Sequence, residues 1–246
     1  MSRWSSGRAR DFLYRAIVKC RVELERRGGN HDTMKRAVAR PGRANLSWLA
    51  AVYGSDKGAT AHKYVDLYEQ HLGPVRADVR RVLEIGVYRG ASLQMWRDFF
   101  PLADIIGVDI AEVSVAGPRI ETVRGDQSDP AVLERLRAMG PFDVIIDDGS
   151  HQAAQLIATF NGLFNSVTPG GFYVIEDMHT AYDVDYGGGA PGTHDTSVAL
   201  IQRMVDAVNR EHVESRYPEA AAPMPMIDAL HVYPKIAFLR RSLQPK

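Results

Sequence analysis

The chain has 246 residues, enough for one large α/β domain with an extension, and its 45% hydrophobic and 24% charged residues are ordinary for a globular protein. A formal net charge of zero argues against nucleic acid as the main partner. Because Cys20 is the single cysteine, an internal disulfide is excluded. The sequence shows neither an apolar run of membrane-spanning length nor the apolar core of a signal peptide, so we expect a cytoplasmic protein.

Residues 1–45 predict a basic, helical N-terminal arm. Up to residue 43 the chain holds twelve Lys or Arg against four Asp or Glu. A helix is predicted over residues 8–27, and its apolar face consists of Phe12, Leu13, Ala16, Ile17, Cys20 and Leu24. We expect this face to pack on the body of the protein or on a second subunit, which would give a homodimer. A helix lying on a membrane surface is the alternative, and a mobile loop is predicted over residues 28–45.

A polar turn bracketed by Gly54 and Gly58 comes next along the chain. Ser55 and Asp56 are good helix caps, so a capping loop explains the turn equally well. A dense polar set nevertheless lies just upstream of the first predicted strand, where it could close over one end of a bound ligand. The set consists of Lys57, His62 and Tyr64.

The segment RVLEIGVYRG, residues 81–90, predicts the centre of the fold. It is an apolar strand that ends in a turn between Gly86 and Gly90 and continues into a helix from about Ala91. Such a turn lets the backbone and the helix N-terminus approach a ligand. The pattern therefore predicts a nucleotide-type pocket at the first strand-to-helix turn of a doubly wound sheet. Its spacing, Glu84-x-Gly86-x-x-x-Gly90, differs from the NAD fingerprint.

Two further strands are predicted to supply polar groups to this pocket. The strand over residues 105–110 ends at Asp109, which could accept both hydroxyls of a ribose or, alternatively, cap the following helix. The strand over residues 120–123 leads to Asp126 and Gln127, which could read an adenine edge or form a solvated turn. A helix over residues 129–139 follows, with Pro130 in its first turn.

The fourth and fifth predicted strands, residues 142–148 and 172–177, place four carboxylates at one edge of the sheet. They are Asp147, Asp148, Glu176 and Asp177. Four carboxylates cannot lie close together in ionised form without a cation. Their oxygen atoms suit Mg²⁺, Mn²⁺ or Ca²⁺. A turn over residues 168–171 is predicted to precede the fifth strand.

Histidines lie close to both strand ends. His151 follows Asp148 by three residues and is a candidate general base, although a lone histidine is often only a polar residue at a helix start. His179 and Tyr182 begin a glycine-rich loop that we interpret as an active-site lid over about residues 180–195. A surface loop without a role is the alternative.

The remaining pattern completes an α/β fold. A helix is predicted over residues 196–211, a linker over 220–225 and a closing pair of strands over 227–233 and 235–240. We therefore predict that residues 46–246 form a doubly wound, seven-stranded, mostly parallel sheet with helices on both faces.

The ordered set of motifs resembles the metal-dependent sugar O-methyltransferases that use S-adenosylmethionine (SAM). That family acts on macrolide and polyketide glycosides and on mycobacterial polysaccharides. The matching segments are Gly54-Ser55-Asp56-Lys57-Gly58 with His62 and Tyr64, Leu83-Glu84-Ile85-Gly86-Val87, Asp147-Asp148-Gly149-Ser150-His151 and Ile175-Glu176-Asp177-Met178-His179-Thr180.

The resemblance implies a Rossmann-like class I SAM methyltransferase fold and a role for each matching residue. It makes Asp148, Glu176 and Asp177 the metal ligands, for Mg²⁺ or else Mn²⁺ or Ca²⁺, and His151 the catalytic base. It implies substrate or lid roles for His179 and Tyr182. The cofactor contacts would come from Ser55, Lys57, Tyr64, Glu84, Gly86, Gly90, Ser92, Asp109, Ile110, Asp126, Gln127 and Asp147. A mannose- or rhamnose-type hydroxyl, in a polysaccharide or natural-product pathway, is the expected acceptor.

Two other functions stay open at this point. The first is an Fe(II)-dependent hydroxylase on the same scaffold, with His151, His179 and either Glu176 or Asp148 as the facial set of ligands. The second is a non-catalytic binding protein that uses the fold as an assembly surface. Glu84 and Asp109 favour SAM over iron, and the carboxylate set favours catalysis over assembly.

Overall fold

The computed structural model describes residues 5–26, 45–58, 61–115 and 117–243. Their contacts form two compact units. One comprises Met1–Val79, Arg89–Asp104 and Val115–Ile120, and the other comprises Arg80–Tyr88, Ile105–Ser114 and Glu121–Lys246. None of the helices in the described ranges is long and apolar enough to cross a membrane.

The first unit is helical. It contains α1 (Ser5–Arg26), α2 (Leu46–Tyr53), α3 (Val65–Leu72) with a 3₁₀ turn at Gly73–Val75, and α4 (Ala91–Phe99). Helix α2 begins where the Asn45 side chain accepts a hydrogen bond from the Ser47 N–H at 3.0 Å. It ends at Gly54, whose φ of 75° is the left-handed conformation that favours glycine.

Helix α1 confirms the predicted helix of the arm, but only part of its predicted apolar face is buried. Ile17 packs against Ala51 and Val52 of α2. Ala16 and Cys20 are exposed. The side chains of Phe12 and Leu13 and nearly all of the loop predicted over residues 28–45 lie outside the described residues. The arm therefore packs on its own unit, and a homodimer stays a prediction.

The second unit is built on the sheet. Its strands are β1 (Arg81–Ile85), β2 (Asp104–Asp109), β3 (Ile120–Arg124), β4 (Phe142–Asp147), β5 (Val167–Ile175), β6 (Ile227–Tyr233) and β7 (Ile236–Arg241). The strand order is β3-β2-β1-β4-β5-β7-β6. Strand β4 pairs in parallel with β1 and β5, whereas β7 is antiparallel to β5 and β6. The predicted seven-stranded, mostly parallel sheet is confirmed.

Helices and 3₁₀ turns connect these strands. They are α5 (Pro130–Met139), α6 (Ala153–Leu163), α7 (Ser197–Val208), α8 (Arg210–Glu214) and α9 (Pro218–Ala221), with 3₁₀ turns at Phe164–Ser166, Met178–Tyr182 and Val184–Tyr186. Asp129 caps α5 by accepting a hydrogen bond from the Ala131 N–H at 2.8 Å, and Pro130 occupies the first turn as predicted. The helix predicted over residues 196–211 is interrupted at Asn209.

The turn predicted over residues 168–171 is wrong, because strand β5 runs through it. Phe142 pairs with Val167 and Val144 pairs with Phe172, so the extra residues of β5 form a bulge. Gly170 supplies the left-handed φ of 80° that the bulge requires. Proline and glycine had indicated a chain reversal, but both are also tolerated at a bulge.

Gly86 lies in close contact with the loop that follows β4, so substitution at this position should lower the free energy of unfolding. It has φ +88°, and a Cβ would lie 2.0 Å from the Asp148 carbonyl oxygen. Gly192 has φ +93° and no neighbouring atom within 4 Å of the position that a Cβ would take, so it is a matched control. We expect Gly192→Ala to lower the free energy of unfolding by about 1 kcal/mol through backbone strain alone. Gly86→Ala should lower it by at least about 2 kcal/mol more because of the clash.

Urea denaturation of the two variants measures this difference. Equal losses of unfolding free energy in the two variants would contradict the predicted clash. They would mean that the end of β4 moves away from Gly86 without a cost in free energy.

Candidate functional site

A cleft of about 170 Å³, open to solvent, lies at the carboxyl ends of the strands of the second unit. Between β1 and β4 the strand order reverses, which is where doubly wound sheets bind ligands. The lining residues are Ile85, Gly86, Val108, Asp109, Ile110, Gly125, Asp126, Gln127, Gly149, Ser150 and Gln155.

The first wall of the cleft is the turn after β1. The Gly86 N–H donates to the Val108 carbonyl at 2.9 Å, and the Asp148 N–H donates to the Ile85 carbonyl at 2.9 Å. These bonds bring three strand ends together, so a ligand can lie directly against backbone at Gly86. Gly86 lines the cleft, and its contact with a cofactor stays a prediction.

Asp109 anchors this turn with its carboxylate. Oδ2 accepts the N–H groups of Val87 and Tyr88 at 2.8 and 2.9 Å, and Oδ1 accepts the Ala111 N–H at 2.9 Å. No helix begins in residues 110–115 or 117–119, so the helix-cap alternative does not apply. A carboxylate has about four acceptor positions, which leaves one for a ligand hydroxyl. This geometry leaves room for one ribose hydroxyl rather than both, and the ribose role of Asp109 stays a prediction.

Asp126 forms the opposite wall. Its Oδ1 accepts the Ser128 N–H and hydroxyl at 2.8 and 2.7 Å, and these bonds lower the pKa of Asp126. The Gln155 Nε2 donates to both carboxylate oxygens at 3.3–3.4 Å. Sequence analysis missed Gln155, although a polar residue in the first turn of a helix after β4 was the available signal.

Asp147 does not line the cleft but is buried behind it, with 2% of its surface exposed. Its Oδ2 accepts the Tyr173 hydroxyl at 3.1 Å, and its Oδ1 accepts the Gln127 Nε2–H at 3.3 Å. Burial raises the pKa of Asp147 to about 7 and that of Tyr173 well above its ordinary value. A cofactor contact by Asp147 stays a prediction, and its observed partners belong to the protein interior.

The other predicted cofactor contacts do not line this cleft. Glu84 is fully buried on β1, opposite Ile146 of β4. Ser55, Lys57, Tyr64, Gly90 and Ser92 belong to the first unit. In that unit the ring of Tyr64 stacks on His62 with centroids 5.2 Å apart. Their cofactor roles stay predictions.

Three predicted residues form a group that could hold a metal ion: Asp148, His151 and Asp177, whose ligand atoms lie within 4.8 Å of one another. The His151 Nε2 is 4.0 Å from Asp148 Oδ1 and 3.7 Å from Asp177 Oδ2. His151 and Asp177 both have left-handed backbones, with φ of 58° and 50°. Such conformations in residues other than glycine cluster at functional sites. Two carboxylates and an imidazole fit a divalent cation.

This group differs from the predicted ligand set, which was Asp148, Glu176 and Asp177. Glu176 is 2% exposed and is not a member of the group, whereas His151 is. Ligation by Glu176 and base catalysis by His151 stay predictions.

The segment after Asp177 is more regular than the mobile lid that we expected. His179 lies in the 3₁₀ turn Met178–Tyr182, with Nδ1 3.8 Å from Asp177 Oδ1. The N–H groups of Gly188 and Gly189 donate to the carbonyls of Asp183 and Ala181 at 2.9 and 3.0 Å. The Gln152 Nε2 donates to the Asp185 carbonyl at 3.1 Å. A lid over residues 180–195 and the roles of His179 and Tyr182 stay predictions.

Comparison with known proteins identifies the relatives of this chain, although no family model matches it. It is 40% identical, over 206 residues and 80% of its length, to the 8-demethyl-8-alpha-L-rhamnosyl tetracenomycin-C 2'-O-methyltransferase of Streptomyces olivaceus. It is also 40% identical over 209 residues to the mycinamicin VI 2''-O-methyltransferase of Micromonospora griseorubida. The chain is a homologue of the macrolide and polyketide sugar O-methyltransferases.

The fold comparison agrees with this homology. The solved MycE methyltransferase of the mycinamycin biosynthetic pathway, in complex with Mg, SAH and mycinamycin VI, matches 83% of this chain with 39% identity and a TM-score of 0.75. The chain spans about half the length of these sugar O-methyltransferases, 54% of the first and 52% of the second. The resemblance expected from the motifs is confirmed, as is the class I methyltransferase fold.

The buried carboxyl of Asp147 should make stability depend on pH. Its pKa rises from 3.8 in the unfolded chain to about 7 in the folded protein. Between these values the unfolded chain ionises and the folded protein does not, so the free energy of unfolding should fall as the pH rises from about 4 to about 7. The loss is at most about 4 kcal/mol. Asp147→Asn should remove this slope, because the amide does not titrate.

Urea denaturation in EDTA at several pH values between 4 and 8 measures the slope. Asp104→Asn, at an exposed position, is the control that should keep the wild-type slope. An unchanged slope in Asp147→Asn would contradict a neutral buried carboxyl.

Proposed function

We propose that this chain is a SAM-dependent, divalent-metal-dependent O-methyltransferase that methylates a sugar hydroxyl of a glycoside. One observation carries the proposal: four consecutive residues supply both halves of the site. Gly149 and Ser150 line the cleft, while Asp148 and His151 on either side of them join Asp177 in the metal-binding group. Cofactor and acceptor would therefore meet at a single loop.

The cleft fits the nucleoside part of SAM. Gly86 lines the cleft with backbone alone, and Asp109 and Asp126 present carboxylates on two walls. The relatives support the same cofactor, since MycE has been crystallised with SAH, the demethylated product of SAM.

The group of Asp148, His151 and Asp177 fits Mg²⁺, with Mn²⁺ and Ca²⁺ as alternatives. In this proposal Asp148 and Asp177 hold the ion, with Glu176 as a further ligand. A bound divalent ion supplies positive charge that favours the deprotonated form of an acceptor hydroxyl.

His151 is proposed as the base that accepts the hydroxyl proton. In methyl transfer the acceptor oxygen replaces sulfur on the methyl carbon, SAM becomes SAH, and the hydroxyl proton must leave. The Nε2 atom of His151 would take it, and the Asp177 carboxylate 3.7 Å away would stabilise the imidazolium that forms.

A wide groove of about 560 Å³ in the second unit supports a glycoside as the acceptor. It begins at His179, which lies beside Asp177, and Lys235 is the only lysine or arginine among the described residues that line it. Such a surface suits the apolar part of a glycoside better than the phosphates of a nucleotide sugar. The lining residues are Met178, His179, Tyr182, Val198, Ile201, Gln202, Val205, Leu230, Val232, Tyr233, Pro234 and Lys235.

A rhamnose- or mannose-type hydroxyl is the proposed acceptor. The name of the Streptomyces olivaceus relative specifies a rhamnosyl group, which supports this choice. A role in a polysaccharide or a natural-product pathway, a homodimer and a cytoplasmic location are further parts of the proposal. Light scattering tests the homodimer.

The observed ligand group favours methyl transfer over the iron-dependent hydroxylase. An Fe(II) facial set was expected to combine His151 and His179 with a carboxylate. In the described part of the chain the group contains one histidine and two carboxylates, and His179 is outside it. Oxygen-rich ligation suits Mg²⁺ better than Fe(II).

Titration calorimetry with SAH, in buffer with Mg²⁺ and again with EDTA, tests the proposed cofactor. We expect SAH to bind in both buffers, because the cleft and the metal group use different side chains. Absence of binding in both would overturn the proposed function and favour the iron-dependent alternative.

His151→Ala tests the proposed base. We expect kcat to fall by roughly 10²–10⁴-fold, the usual contribution of a general base. The affinities for SAH and Mn²⁺ should persist, since the carboxylates remain. Turnover assays with radiolabelled SAM and a panel of glycosides, together with Mn²⁺ titration, separate these effects.

His212→Ala, an exposed histidine on α8, is the matched control and should keep wild-type turnover. Loss of Mn²⁺ affinity in His151→Ala would show that His151 is a metal ligand instead. Near-normal turnover would contradict both roles.

A further inference from the structure

The side-chain amide of Gln127 is hydrogen-bonded to protein groups, although Gln127 lines the cleft and was predicted to read the adenine edge. Gln127 is 7% exposed. Its Oε1 accepts the Ser150 N–H at 2.8 Å, and its Nε2 donates to Asp147 Oδ1 at 3.3 Å and to Thr159 Oγ1 at 3.0 Å. An amide nitrogen carries two hydrogens, so both are used.

The neighbouring groups fix which way the amide points. The Thr159 hydroxyl has a single hydrogen, which it donates to the Gln155 carbonyl at 2.8 Å, so Oγ1 acts as the acceptor for Gln127. A flipped amide would point its oxygen at the carboxylate of Asp147 and its N–H₂ at the N–H of Ser150. Only the observed orientation satisfies every group.

The loop between β4 and α6 lies directly on this amide. A Cβ at Gly149 would be 2.0 Å from the Gln127 Oε1, so the glycine permits the contact between the loop and the amide. The Ser150 N–H that Gln127 accepts belongs to the residue next to His151. The Gln127 side chain thus contacts and hydrogen-bonds to the loop that joins the cleft to the metal-binding group.

The conformation of that loop needs an external restraint. His151 has a φ of 58°, a backbone state that costs about 1–3 kcal/mol and persists only when its surroundings impose it. At the start of the loop, the Asp148 N–H donates to the Ile85 carbonyl at 2.9 Å. Near His151 the bonds are longer: the Thr180 hydroxyl donates to the His151 carbonyl at 3.5 Å, and the Gln152 N–H donates to the Ser150 Oγ at 3.2 Å. The bond from Ser150 to Gln127, at 2.8 Å, is shorter than either.

We propose that Gln127 is a positioning residue that holds the Asp148–His151 loop in its metal-binding conformation, and that it does not read the adenine base. The inference rests on the proposed function for its catalytic meaning, since it assumes that Asp148 and Asp177 hold a divalent ion. Through the loop, Gln127 would set the position of Asp148 relative to Asp177.

The test uses the whole chain and the variant Gln127→Met, which keeps the length of the side chain and removes both polar atoms. Mn²⁺ binding is measured by electron paramagnetic resonance without cofactor. We expect the affinity of Gln127→Met for Mn²⁺ to fall about tenfold or more, as for other losses of groups that orient metal ligands. Gly149→Ala should give a similar loss with Gln127 intact, which covers the case that Gln127→Met does not fold.

Thr159→Val is the matched control, because it removes one partner of the Gln127 Nε2 but leaves the bond to Ser150. It should bind Mn²⁺ as the wild type does. Loss of affinity in Thr159→Val equal to that in Gln127→Met would indicate general loosening of the core and overturn the inference. Wild-type affinity in Gln127→Met would also overturn it.

A second readout separates positioning from base reading. The ratio of the dissociation constants of S-inosylhomocysteine and SAH reports contacts with the adenine edge, and it should be the same in wild type and Gln127→Met. If the ratio fell toward one in Gln127→Met, the variant would have lost discrimination at the adenine edge, and the inference would be overturned. If wild-type protein bound Mn²⁺ but no SAH, the proposed function would fail, while the Mn²⁺ measurements would still decide the role of Gln127.

Discussion

The close approach of the β1 and β4 ends is the constraint on which the candidate site depends. At Gly86 a side chain would have to occupy the position of the Asp148 carbonyl, so this point of the sheet tolerates only glycine without rearrangement. Because the backbones touch there, the turn after β1 and the loop after β4 open toward the same side. The cleft lies beside that contact, since Gly86 and Gly149 both line it, and Asp148 also belongs to the candidate metal group.

Behind the cleft, a polar network occupies a place that an apolar core would usually fill. Asp147, Gln127, Thr159 and Tyr173 are all buried, and each hydrogen-bonds to another member of the set. Buried polar groups are costly unless they are satisfied, but a satisfied network specifies one arrangement. In this protein the arrangement it specifies is that of the β4–α6 loop, which carries candidate cofactor and metal contacts.

The same sequence pattern has different structural meanings in different places. Thr168-Pro169-Gly170-Gly171 has the composition of a turn, yet it forms a bulge because β5 must pair with the shorter β4 at both ends. The glycine-rich stretch after Tyr186 indicated a mobile lid, yet Gly188 and Gly189 make backbone hydrogen bonds to Asp183 and Ala181. Local composition sets which conformations are accessible, and pairing with distant strands selects among them.

The sequence by itself determined the fold class and the succession of strands along the chain, and its motifs indicated the family that the chain resembles. Apolar periodicity and glycine spacing are local properties, so they can be read without tertiary contacts. The sequence also placed Asp148, His151 and Asp177 at neighbouring strand ends. Only the tertiary structure decided that His151, rather than Glu176, lies with Asp148 and Asp177 in the candidate metal group, that Asp147 is buried, and that the Gln127 amide hydrogen-bonds to Ser150, Asp147 and Thr159. Those outcomes depend on side-chain direction and burial, which arise when distant segments pack together.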